Sequence, residues 1–286
     1  MTNGIKETVI LFLKGCAIGV ANIIPGVSGG TLAVVLGVYD RLIESIACFF
    51  ESPGKRKEYA IFLAKILSGA GISMLFLANV MDFLLTHHFH LTIFAFMGLI
   101  LGGVPSIWRS HGDMRVKTSR VFVFIAGILI VLGPSLLGFT AIETATFDAP
   151  EMLMFDKGRY LTLLFSGFLA GGAMIVPGIS GSFVLVLLGQ YALIIAAIKG
   201  LILTPLIVVG FGAMAGILVF SKIIKVCLER SPAMTYYFIL GLVTASFIEI
   251  FPGVPRGEHV VLFAVIIFFL GAGASYALSK ISGEPA

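Results

Sequence analysis

Uninterrupted apolar runs close to twenty residues long recur along this chain, and a stretch such as Val121 to Leu132 is apolar at every position. A helix of that length crosses the roughly 30 Å hydrocarbon layer of a bilayer. A strand of a membrane barrel would instead alternate apolar and polar residues, so helices are the spanning elements this sequence allows. Composition agrees, with 58% of the 286 residues hydrophobic and 12% charged, against about 25% charged in a soluble domain. The net charge of +4 comes from Lys and Arg clustered beside apolar runs. Membrane topology accounts for such clusters, and no nucleic-acid partner is expected.

Cys16, Cys48 and Cys227 are odd in number and scattered in or beside apolar segments, which fits neither a disulfide framework nor a zinc site. Lys6 and Lys14 ahead of an apolar stretch resemble a secretory leader, but no A-x-A cleavage pattern follows. The same segment also recurs in mid-chain, which is unexpected of a leader.

That recurrence organises the whole sequence. Gly15 to Ile43 aligns with Gly167 to Ile195 at an offset of 152, and 13 of the 29 positions are identical. Further along the offset becomes 143, with matches such as Leu63/Leu206, Gly69/Gly212 and Gly98/Gly241. The first half therefore carries nine extra residues, placed in the polar connection Glu51 to Tyr59. The expected fold is an all-α polytopic membrane protein of two repeats, residues 1–138 and 160–286, joined by an outer loop at 139–159. Each repeat reads as a broken helical hairpin (6–50 and 160–200) followed by three spanning helices. Those helices are expected at 60–80, 91–108 and 120–137, then at 204–224, 233–251 and 259–278.

Lys and Arg favour the cytoplasmic side of a membrane. Arg109, Arg115, Lys117 and Arg120 lie in one connection, and Lys222, Lys225 and Arg230 in another, so both are expected inside. Asp82 to His90 has no Lys or Arg and Phe139 to Tyr160 is acidic, so both are expected outside. Tracing the chain through these points puts both termini and the Lys55-Arg56-Lys57 loop in the cytoplasm. Each hairpin must then cross an even number of times, and the two repeats have opposite orientation, the arrangement secondary transporters use to build a site between interrupted helices.

The first hairpin turns through Asn22, Pro25, Gly26, Ser28, Gly29, Gly30 and Thr31, and the second through Pro177, Gly178, Ser180, Gly181 and Ser182. Proline stops the incoming helix and glycine permits a left-handed backbone. The outgoing helix is expected to start near Thr31 or Phe183, aiming free N–H groups and serine hydroxyls at the turn, a combination that binds anions. The plainer reading is a tight turn with glycines for close helix packing. Backbone that is not helical within a membrane is tolerated where it is buried or lines a cavity, and two such tips suggest a cavity.

Arg41 has no counterpart in the second half, where Leu193 stands. It reads either as a phosphate or carboxylate ligand or as a side chain paired with Glu44 near the cytoplasmic interface. Lys65 and Glu249 read either as interface anchors or as members of a ligand site or proton relay. His87, His88 and His90 fall in a short outer loop without cysteine or paired carboxylates at a zinc spacing. No metal, cofactor or catalytic constellation is expected.

Gly-Val-Ala-Asn-Ile-Ile-Pro-Gly-Val-Ser-Gly-Gly-Thr at 19–31, Gly-Val-Tyr-Asp-Arg-Leu-Ile at 37–43 and the Gly98 to Ser106 segment together resemble a bacterial inner-membrane family associated with polyprenyl-phosphate transport. The resemblance covers essentially the whole chain. It implies a flippase that returns undecaprenyl phosphate from the outer to the cytoplasmic leaflet, recycling the lipid carrier of cell-envelope synthesis. The implied partners are the lipid and the bilayer, with a homo-oligomer left open. From the residues alone, a transporter or channel for a small soluble anion uses the same tips equally well.

Overall fold

The computed structural model describes residues 2–23, 27–109, 112–137, 157–255 and 257–281. Among them every long element is an α-helix. The first half holds α1 (Thr2–Ile23), α2 (Gly29–Val35), α3 (Tyr39–Ala47), α4 (Arg56–His87), α5 (Phe89–Arg109) and α6 (Thr118–Leu136). The second half holds α7 (Lys157–Ile175), α8 (Gly181–Leu187), α9 (Tyr191–Lys199), α10 (Leu203–Arg230), α11 (Pro232–Glu249) and α12 (Glu258–Ile281). Among the described residues seven helices are long and apolar enough to cross a membrane, namely α4 to α7 and α10 to α12. The protein is thus a multi-pass membrane protein. Its large exposed apolar side chains, such as Leu75, Phe76, Phe122 and Phe269, are what a lipid-facing surface requires.

Several helices outrun their apolar cores. α4 continues to His87 and leaves a single residue, His88, before α5 begins. The connection read as a loop at 82–90 is therefore mostly helix. The His87 ring stacks on Phe83 with centroids 4.5 Å apart, and its Nδ1 lies 3.1 Å from the Phe83 carbonyl oxygen. α10 likewise runs to Arg230.

Lipid is as apolar as leucine, so helices associate in a membrane by close packing of small residues. The glycines here serve that end, and they do so in matched sets. A side chain on Gly15 would run into the Ile66 carbonyl, and one on Gly167 into that of Val209. Gly19 meets Ala70 as Gly171 meets Ala213, and Gly69 meets Phe12 as Gly212 meets Leu164. From Gly15/Ile66 to Gly19/Ala70, and from Gly167/Val209 to Gly171/Ala213, both residue numbers increase together, so α1 runs parallel to α4 and α7 runs parallel to α10. Each broken hairpin thus returns the chain to the side on which it began.

The remaining long helices exchange partners between halves. Gly98 and Gly102 of α5 pack on Phe268 and Ala272 of α12, while Gly241 of α11 packs on Phe124 of α6. The most extensive contacts are α1 with α4, α7 with α10, α5 with α12 and α6 with α11. The Ser135 hydroxyl donates to a Glu249 carboxylate oxygen at 2.8 Å at one end of the last pair, where Glu249 is exposed. At the opposite end of α6, Arg120 donates to the carbonyls of Asp113 and Arg115 at 2.9 and 2.7 Å and to the Asp113 carboxylate at 2.7 Å. That guanidinium holds the Asp113 carboxyl down to about 2.

Candidate functional site

Both hairpins are built to one plan. An incoming helix ends at Ile23 or Ile175, a seven-residue helix starts at Gly29 or Gly181, and a glycine in the left-handed region turns the chain into a nine-residue helix. The backbone at Ser28 (φ −95°, ψ 131°) matches that at Ser180 (φ −92°, ψ 131°). Gly37 (φ 67°) likewise matches Gly189 (φ 68°). The outgoing helices begin at Gly29 and Gly181, two residues before the start expected from sequence. Being two turns long, they carry less of the aligned-peptide dipole that a long helix presents, so the hydroxyls and individual N–H groups are the main donors available at the tips.

The two tips touch. The Gly178 N–H donates to the Thr31 side-chain oxygen at 2.7 Å. Gly30 faces the Met174 and Ile175 carbonyls and Pro177 so closely that an added methyl would lie 3.3 to 3.4 Å from them. The Tyr39 hydroxyl donates to the Ile175 carbonyl at 3.0 Å. Gly178 itself has φ 85°, and a methyl there would sit 2.7 Å from the Leu242 carbonyl oxygen and from the Ser246 hydroxyl. The second tip is thereby fixed against α11 as well as against the first.

Their environments differ. Ser28 and the whole of α2 are buried, whereas Gly181 is the one buried residue of α8. Neither Ser28 nor Ser180 uses its hydroxyl as a helix cap. The Ser180 and Ser182 hydroxyls lie 2.7 Å apart, with Ser182 exposed.

Of the residues expected at the site, Gly30, Thr31, Pro177 and Gly178 are brought together. Asn22 is engaged within its own hairpin, where its side-chain oxygen accepts the Gly29 N–H at 3.1 Å across the break. Pro25 and Gly26 lie outside the described residues. Arg41 is found with carboxylates, Glu7 at 3.4 Å and Glu58 at 3.6 Å, and over the Phe62 ring at 4.6 Å. Lys65 is half-buried on α4.

Two polar features escaped the sequence reading. Lys14 is completely buried, and its ammonium donates to the Leu36 carbonyl at 2.5 Å. The signal was visible, since a lysine between Leu13 and Gly15 inside an apolar helix is costly unless partnered. The second feature is a cavity of about 410 Å³ between α3 and the α10–α11 junction, lined in part by Asp40, Glu44, Lys55, Tyr59, Lys225 and Tyr236. The Tyr236 hydroxyl donates to Asp40 in its wall. Beside it, Lys222 pairs with Glu51 at 2.5 Å and holds that carboxyl below the usual range.

Comparison with known proteins follows the same outline. The chain is 34% identical over 284 residues to the polyprenyl-phosphate transporter of Staphylococcus aureus, covering 96% of this chain and 97% of that one. It is 35% identical over 254 residues to the polyprenyl-phosphate transporter of Vibrio cholerae, covering 84% and 77%. No solved structure matches. The undecaprenyl phosphate translocase-like family matches residues 18–261, the segment that holds both tips and the long helices α5, α6 and α11, and this chain belongs to that family.

Proposed function

We propose that this protein carries polyprenyl phosphate across the bacterial cytoplasmic membrane, returning it from the outer to the cytoplasmic leaflet. The observation that carries this reading is the meeting of two broken hairpins at Thr31 and Gly178 inside a bundle whose exterior is apolar. Irregular backbone of this kind lines a cavity or a buried seam in a membrane, and its donors suit an anionic head group. Ser28, Ser180, Ser182 and the turn N–H groups bind the phosphate without making or breaking its bonds. Two relatives named polyprenyl-phosphate transporters support the lipid as substrate and transport as the activity.

The halves act as inverted repeats, with both termini and the 51–59 and 222–230 connections in the cytoplasm. Parallel packing of α1 with α4 and of α7 with α10 supports an even number of crossings in each hairpin, and Lys and Arg usage supports the orientation. In intact cells an impermeant thiol reagent should label a cysteine placed at His90 and spare one placed at Lys117. The reverse pattern overturns the orientation.

A small soluble anion is the competing cargo, because the tips offer it the same donors. Purified protein in liposomes, given polyprenyl phosphate in one leaflet and inorganic phosphate as competitor, distinguishes the two. Movement of the lipid undiminished by millimolar phosphate supports the lipid reading. Phosphate flux without lipid movement overturns it.

A further inference from the structure

The two hairpins match in the contacts they make within themselves and differ in those they make beyond. In the first half α1 packs on α2, α2 on α3 and α3 on α4, and in the second α7 packs on α8, α8 on α9 and α9 on α10. Past that shared plan, α2 packs on α5 and α3 packs on α10 of the other half. Gly103 of α5 lies so close to Val35 of α2 that an added side chain would overlap it. The equivalent pairings are α8 with α11 and α9 with α4, and the offsets of 152 and 143 carry Val35 and Gly103 onto Leu187 and Ser246. Among the described residues neither of these helix pairs is packed. Leu187 is 42% exposed where Val35 is wholly buried, and Ser246 lies beside Gly178 instead.

A matched pair of tyrosines follows the same division. Tyr39 is equivalent to Tyr191, and Ile175 to Ile23, with both pairs identical between the halves. The buried Tyr39 hydroxyl donates to the carbonyl of Ile175, the last residue of α7. Tyr191 is 41% exposed. Its equivalent acceptor is the carbonyl of Ile23, the last residue of α1, and carbonyls at a helix C-terminus take their partners from outside the helix. The chain thus holds both members of the exchanged pair. The bond from Gly178 to Thr31 has no such counterpart, because Phe183 stands where Thr31 does.

Resting on the transport reading, we propose that Tyr191 is a positioning residue for a second state of the protein, in which its hydroxyl takes the Ile23 carbonyl while α8 docks on α11 and α9 on α4. In that state Tyr39 releases Ile175, and the first hairpin becomes the undocked one. The two states exchange equivalent contacts, which keeps them comparable in energy, as a two-state element requires. The Thr31 bond belongs to one state only and favours the arrangement described above. Ser182 is exposed in that arrangement and Ser28 is buried. The exchange therefore offers a head group the second tip from one side of the membrane and the first tip from the other. No bond of the substrate changes.

The test uses the full chain with Leu187→Cys and Ser246→Cys, reconstituted in liposomes, treated with a mild oxidant and mapped by peptide mass spectrometry. A disulfide within one chain is expected, stopping movement of undecaprenyl phosphate until reductant restores it. Tyr191→Phe should slow formation of the bridge about fivefold and Tyr39→Phe should speed it about fivefold, since each removes one hydrogen bond from one state. A purely structural role for the tyrosines would not move the two rates in opposite directions. Absence of the bridge in a protein that moves the lipid overturns the proposal, as does a bridge formed only between two copies or a rate that ignores both substitutions. If the cysteine pair does not fold, amide hydrogen exchange on the chain with its native cysteines decides. Tyr39→Phe should then speed exchange in α2 and slow it in α8, with Tyr191→Phe added on top reversing the change, and exchange in α8 that Tyr39→Phe leaves unchanged overturns the proposal. A bridge that follows both tyrosines in a protein moving no polyprenyl phosphate supports the hairpin exchange and overturns the choice of cargo alone.

Discussion

The side-chain oxygen of Thr31 accepts the backbone N–H of Gly178 at 2.7 Å, so a residue of one broken hairpin closes the turn of the other. Thr31 is fully buried. Thr31→Val keeps the shape and removes the acceptor, leaving a half-buried N–H without its partner at a cost of about 1 kcal/mol. Thr31→Ser keeps the acceptor and should stay closer to wild type. Thermal unfolding of the purified protein checks this, and equal stability of the valine variant would mean that the contact is incidental.

Two glycines with left-handed backbone make a controlled pair. Gly189 (φ 68°) has open space where a methyl would go, while Gly178 (φ 85°) has the Leu242 carbonyl and the Ser246 hydroxyl at 2.7 Å. Gly189→Ala should cost about 1 to 2 kcal/mol, the conformational penalty alone. Gly178→Ala adds an overpacking penalty of about 1 to 3 kcal/mol and separates the tips. Comparison of the two melting temperatures, with lipid transport measured alongside, checks the order.

Ser28→Ala and Ser180→Ala each remove one hydroxyl donor from the proposed phosphate site. A hydrogen bond to a charged group is worth about 1.5 to 3 kcal/mol, so head-group affinity should fall roughly ten- to a hundredfold. Neither hydroxyl caps its helix, and the fold should therefore be retained. Unchanged affinity of both variants for undecaprenyl phosphate would make the tips packing turns.

The Asp113 carboxyl, held at about 2 by Arg120 instead of its ordinary 3.8, gives the 112–117 connection a defined pH dependence. A carboxyl whose folded-state pKa is depressed stabilises the fold fully above its unfolded value and loses that contribution as pH falls through the folded one. The difference in melting temperature between wild type and Asp113→Asn should therefore be constant above about pH 5 and shrink between about pH 4 and 2. A difference that persists undiminished at the acid end contradicts the ion-pair origin.

The glycines that the offsets of 152 and 143 match in sequence also make matching contacts in space. Gly15 on Ile66 and Gly167 on Val209 are one such pair. The new helices starting at Gly29 and Gly181 were legible in the Pro-Gly-x-Ser-Gly strings that precede them. Helix ends were not, since α4 extends through Arg56 to Glu58 and past Asp82, where polar side chains reach the interface while the backbone stays helical. The role of Asn22 was hidden because a polar residue beside a turn can face a ligand or bridge the break, and only the fold puts it opposite Gly29. Lys14 was visible but looked like the basic flank of an apolar segment. Its burial depends on α2 folding back over α1, which no local pattern encodes.

The exchange of partners between halves has a consequence for how the chain is made. Gly98 of α5 is seated on Phe268 of α12, a residue synthesised roughly 170 positions later, or on the order of 10 to 30 seconds at ordinary bacterial translation rates. For that interval the Gly98 and Gly102 face of α5 lacks its partner, while Gly103 can already pack on Val35 of α2 and α6 waits only for α11. The broken hairpin of the first half faces no such delay, because α4 follows α1 closely enough to pack on it as it emerges. Assembly in this protein is therefore ordered by the ribosome, with the hairpins formed half by half and the bundle closed only when the last helix arrives.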